Sequence, residues 1–124
     1  MKEKIRVIKF RAWDKKNKEM REVLNLELPN KTENERIVAM QFTGLLDKQG
    51  KEIYEGDIYR APHGETGKME DLVVRYSHAS FGLVRYGHDG MNPKRLGNIH
   101  NQRTGEVIGN IYENPELLEG DSTK

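Results

Sequence analysis

The stretch Gln41-Phe42-Thr43-Gly44-Leu45-Leu46-Asp47-Lys48-Gln49-Gly50-Lys51-Glu52-Ile53-Tyr54-Glu55-Gly56-Asp57-Ile58-Tyr59 places glycine-marked turns between short runs of β-branched, aromatic and aliphatic residues. Asp47-Lys48-Gln49-Gly50 starts with Asp and ends with Gly, the pattern of a type I turn. Glu55-Gly56-Asp57 stands directly before Ile58-Tyr59-Arg60, where a glycine lets the chain bend sharply into the next strand. Short strands punctuated in this way describe architecture, not a catalytic motif, and they predict a mainly β fold. A Gly-Asp pair entering a strand also recurs in small SH3-like barrels.

Toward the amino terminus, Ile5, Val7, Ala12 and Trp13 flank Ile8-Lys9-Phe10-Arg11, a mixture that favours a strand with one solvated face. Asp14-Lys15-Lys16-Asn17-Lys18 is a polar break, and Met20 to Leu28 reads as the returning strand of a hairpin. Residues 29–36 contain no hydrophobic side chain and predict a mobile surface excursion, after which Ile37 to Phe42 resumes strand character.

Toward the carboxyl terminus, Ala61 to Lys68 is a loop by its Pro62, Gly64 and Gly67. Leu72–Ser77 and Phe81–Tyr86 form the clearest hairpin, with His78-Ala79 at its tip. Pairing Ser77 with Ser80 sets Tyr76 opposite Phe81 and Val74 opposite Leu83. Leu72, Val74, Tyr76, Phe81 and Leu83 then share a core face, and Asp71, Val73, Arg75, Gly82, Val84 and Tyr86 lie on the other. A slip of one residue would mix Arg75 with Phe81 and Leu83. Gly87 to Gly105 reads as irregular loop, and Glu106 to Tyr112 as a closing strand. Asn114-Pro115-Glu116-Leu117-Leu118 is a helix start with Asn as cap and Pro at the first helical position. Residues 120–124 are a frayed tail, leaving 1–119 as a single domain.

The length of 124 residues suits one domain with one core. Charged residues reach 33%, but 21 Lys plus Arg against 20 Asp plus Glu leave a net charge of only +1, so attraction to nucleic acid would need a local basic patch. The absence of cysteine excludes disulfides and thiolate chemistry and suits a cytoplasmic protein. No apolar run is long enough for a signal peptide or a membrane span, which predicts no membrane partner.

Val74-Arg75-Tyr76-Ser77-His78 and Val84-Arg85-Tyr86-Gly87-His88 repeat with a spacing of ten residues, and Arg beside an aromatic suits phosphate contact with base stacking. The hairpin register nevertheless puts Arg75 and Arg85 on opposite faces, which favours ordinary strand roles. Asn92-Pro93-Lys94-Arg95 and Arg103 make the following loop basic. Arg75, Arg85, Lys94, Arg95 and Arg103 are therefore the candidate nucleic-acid contacts. His63, His78, His88, His100 and Asp89 lack the paired spacing of a metal site. No GxGxxG, GxxxxGK or GxSxG sequence occurs, and no catalytic, metal or cofactor-binding residue is singled out. Trp13 reads as core. A non-enzymatic binding module is the expectation, with direct nucleic-acid binding as the alternative.

Lys9 to Asp14, Gln41 to Asp57 and Val107 to Leu118 resemble the YopX family of small phage and prophage proteins of uncharacterised biochemical role. The likeness is specific in these blocks and weak from Arg60 to Arg103. It implies a mainly β protein with an SH3-like small β-barrel, to which the reading of the residues adds an N-terminal β-hairpin extension and a short C-terminal helical turn. It also implies a phage or prophage protein acting in bacterial cytoplasm, and the leading expectation for such a module is contact with a host or phage macromolecule. No catalytic or binding residue is carried over from the family, and a homo-oligomer is left open.

Overall fold

The computed structural model describes residues 7–23, 36–63, 65–77, 79–85, 94–95 and 105–119. Its strands are β1 (Phe10–Asp14), β2 (Glu19–Val23), β3 (Ile37–Leu46), β4 (Glu52–Tyr54), β5 (Asp57–Pro62), β6 (Met69–Ser77), β7 (Ser80–Arg85), β8 (Lys94–Arg95) and β9 (Glu106–Asn110), followed by the short helix α1 (Glu116–Glu119). The protein is mainly β, with two antiparallel sheets in the orders β2-β1-β3-β4 and β8-β7-β6-β5-β9. The fold includes a sheet curled into half a barrel, a shape compatible with an SH3-like fold.

The N-terminal hairpin is β1–β2, and β1 also pairs with β3. The first strand begins at Phe10, with Val7 and Ile8 exposed ahead of it, so it is shorter than the hydrophobic pattern predicted. The return strand is described to Val23; its expected continuation to Leu28 and residues 29–35 of the surface excursion lie outside the described residues. Strand β3 runs on through Leu46, further than the sequence suggested, and serves two neighbours. Its register against β4 shifts between Phe42 and Leu46, where Gly44 takes a φ of 88° and the Thr43 hydroxyl donates to the Ile53 carbonyl at 2.8 Å. A bulge of this kind re-aims a strand while a side chain satisfies the interrupted ladder.

The Asp47 turn forms as read, with the Gly50 N–H donating to the Asp47 carbonyl at 2.9 Å. At the β4–β5 junction Gly56 has a φ of 84°, and a Cβ there would lie 2.9 Å from the Met40 sulfur. Both the backbone conformation and the space explain the glycine. Its N–H donates to the Val74 carbonyl and its carbonyl accepts from the Ile111 N–H, each at 2.9 Å, so this turn fastens β6 and the segment after β9 together.

The β6–β7 register is Ser77 with Ser80, Tyr76 with Phe81 and Val74 with Leu83, as the alternation required. Leu72, Val74 and Leu83 join Ile53, Tyr59, Ala61 and Val107 in the core, with Leu45 and Phe81 packed against it. Two corrections follow from where the hairpin lies. Tyr76 is 54% exposed because the hairpin tip projects past the core, although its ring still meets Phe81 edge-on at 5.0 Å. Val73 and Val84, assigned to the outer face, are buried, so the middle of the hairpin is covered on both sides. Truncating Phe81 to alanine should cost about 2 kcal/mol, below the value for a fully buried ring, against less than about 0.5 for Arg75→Ala. Urea denaturation of both variants measures the contrast, and equal losses would contradict this packing.

The closing strand ends at Asn110 and turns over Ile111–Glu113. The Asn114 carbonyl accepts from the Leu117 N–H at 3.1 Å, as at a helix start, but its side chain reaches back to the Asn110 N–H at 3.2 Å instead of capping forward. Trp13 is buried and stacks on Tyr112 with ring centroids 5.9 Å apart.

Candidate interaction surface

Lys94 and Arg95 belong to edge strand β8 and not to a loop, because their backbone pairs with Leu83 and Gly82. Gly82 is also the partner of Arg75, so Arg75, Gly82 and Arg95 form one row across three strands. Directly opposed residues share a face, and two strand spacings separate the ends of the row by roughly 10 Å. Arg85 and Lys94 fall on the opposite face, in register with Leu72 and Leu83. Arg75 is exposed, while Arg85 makes a 3.4 Å ion pair with Glu70. Arg103 lies outside the described residues, as do His78, His88, Asp89 and His100. Among the described residues, the backbone register thus separates Arg75 from Arg85 and aligns the Arg95 position with Arg75 through Gly82.

His63 is a turn residue whose Nδ1 accepts from the N–H groups of Glu65 and Thr66 at 3.1 and 3.4 Å. No group of three or more His, Asp or Glu side chains suited to a metal converges among the described residues.

Among the described residues three aspartates are buried, and each is engaged in holding the fold. Asp47 Oδ1 accepts from the N–H groups of Gln49 and Lys51, both at 2.8 Å, and Oδ2 accepts from Val107 N–H at 2.7 Å. Asp57 accepts from Arg11 at 2.7 Å through Oδ1 and from Tyr54 N–H at 2.7 Å through Oδ2. Arg11 also donates to the Glu55 carbonyl at 3.2 Å and lies over the Tyr54 ring at 4.6 Å. Burial pushes the Asp57 carboxyl up from its ordinary value, and the Arg11 charge with the Tyr54 N–H opposes that rise.

Asp14 gathers charge at the β1–β2 turn. Arg36 binds it through both carboxylate oxygens at 3.0 and 2.7 Å, and Arg21 approaches at 3.0 Å. The N–H groups of Lys16 and Asn17 donate to Oδ1 at 3.0 and 3.1 Å. The Arg36 hydrogen bonds hold the Asp14 carboxyl well below the usual carboxylate range, with burial opposing and the Asn17 and Lys16 N–H groups assisting. The sequence marked this turn only as a polar break. The run Lys15, Lys16, Lys18 signalled its charge, but the approach of Arg21 and Arg36 depends on strand pairing.

These sheets define a small β protein whose buried carboxylates serve as structural fasteners. The chain belongs to the YopX family: the family model described as YopX protein matches residues 25–119. Among solved structures, protein EF1440 from Enterococcus faecalis is 30% identical with a TM-score of 0.61, over 91% of this chain and 99% of that one. Protein yopX from Bacillus subtilis has a TM-score of 0.63 over 90% of this chain and 96% of that one; at 22% identity the likeness is one of fold. No curated protein matches the chain.

Proposed function

We propose that the protein is a non-enzymatic binding module of a phage or prophage, acting in the bacterial cytoplasm through contact with a host or phage protein. The observation that carries this reading is the engagement of Asp14, Asp47 and Asp57 with arginines and backbone N–H groups, which commits the buried acids to the fold. Accessible charge instead lies on strands and turns, where it suits a contact surface. A tagged pull-down from infected cells, with nuclease-treated and untreated lysates compared, tests the proposal. Retention of a specific protein after nuclease treatment supports it, and capture of nucleic acid alone overturns it.

Direct nucleic-acid binding is a second reading, favoured by the Arg75–Gly82–Arg95 row. If both arginines meet phosphates, the double variant Arg75→Ser, Arg95→Ser should flatten the plot of log affinity against log salt by about two units. Fluorescence anisotropy with labelled duplex DNA and single-stranded RNA measures this, and an unchanged slope rejects the row as the contact.

A further inference from the structure

We infer that the β1–β2 turn is a phosphate-backbone contact, formed by Lys15, Lys16, Lys18, Arg21 and Arg36 around Asp14. The inference rests on the second, nucleic-acid-binding reading and places a phosphate contact at this end of the molecule. Lys15, Lys16 and Lys18 are all exposed. Asp14 draws in Arg21 from β2 and Arg36 from just ahead of β3, and the Lys15 N–H donates to the Arg36 carbonyl at 2.9 Å. Five cations from two separated stretches of sequence therefore meet at one corner.

The turn is locally basic as a result. Among the described residues of this corner the five cations face two carboxylates, Asp14 and Glu19, and Glu19 is itself paired with Arg21 at 2.6 Å. Counted over the described residues 14–21 and 36, these groups sum to a formal +3. A local surplus of cations attracts a polyanion even on a chain whose net charge is near zero.

The turn is held in place as well as charged. Asp14 accepts from Lys16 N–H, Asn17 N–H and the Asn17 side chain, and the Lys18 N–H donates to the Asp14 carbonyl at 2.7 Å. Lys18 has a φ of 54°, a left-handed conformation that glycine or asparagine adopts more readily.

The chemistry also selects the kind of contact. Lysine is a point charge on a flexible stem and recognises phosphate without reading sequence. Trp13, the nearest aromatic in sequence, is buried against Tyr112 and presents no stacking platform. Binding should therefore depend on salt and on phosphate density, with little dependence on base sequence.

The test is fluorescence anisotropy of the full chain with labelled duplex DNA and single-stranded RNA across a salt series. The tip variant Lys15→Ser, Lys16→Ser, Lys18→Gly retains the Asp14 bonds and places glycine where φ is positive, so the turn stays folded. It should lose about tenfold or more in affinity at low salt and two to three units of salt slope. Lys48→Ser, Lys51→Ser, Lys68→Ser removes equal charge from exposed positions elsewhere and should bind like the wild type. Equal losses in both triple variants, or unchanged binding in the tip variant, would overturn the inference. So would wild-type protein that binds neither nucleic acid or binds only anionic lipid vesicles. A specific protein captured after nuclease treatment would in those cases leave the binding-module reading standing.

Discussion

Replacing Asp57 with alanine is expected to lower stability by about 3 kcal/mol, because it leaves Arg11 largely buried without its counter-charge. The Asp57 side chain is 2% exposed and that of Arg11 16%. The substitution also removes the acceptor of the Tyr54 N–H at the tight β4–β5 junction. Arg11 Nε already has no hydrogen-bond partner, so the guanidinium depends on the contacts made by its other nitrogens. A buried pair is costly to desolvate, and the upward push of burial on Asp57 is that cost made visible. The double variant Arg11→Met, Asp57→Ala should therefore lose less than the sum of its single variants. Urea denaturation around this double-mutant cycle gives the coupling, and strictly additive losses would contradict a direct pair.

Asp47→Ala should also cost about 3 kcal/mol or more, since one side chain satisfies three backbone donors. Two of those donors lie within the turn, but Val107 N–H is on β9 and ties the end of the first sheet to the edge of the second. Asp47→Asn retains one acceptor oxygen and should lose less. Thermal and urea unfolding measure both variants. A loss below about 1 kcal/mol for the alanine variant would show that turn and strand do not depend on this carboxylate.

Much of the local structure was legible because it rests on short-range rules. The Asp47–Gly50 turn, the bend at Gly56 and the Ser77–Ser80 hairpin register each follow from neighbouring residues whose φ preference or alternation leaves little choice. Exposure was less legible. Alternation placed Tyr76 correctly opposite Phe81 but could not say that the core ends before it, nor that Val73 and Val84 are covered from the other side. The candidate cations show the same division. Alternation separated Arg75 from Arg85, whereas the union of Arg75 with Arg95 required β8, a strand of two residues within a glycine-rich segment.

The sequence by itself determined a mainly β chain, its principal turns and its resemblance to the YopX family, because turn chemistry, side-chain alternation and contiguous motifs are all written within a few residues. Only the tertiary structure decided which turn residues also fasten distant strands. Asp14 with Arg36, Asp57 with Arg11 and Asp47 with Val107 are separated by 22, 46 and 60 residues. A carboxylate's choice of partner over such distances is set by which groups folding leaves buried beside it, and burial is a property of the packed chain.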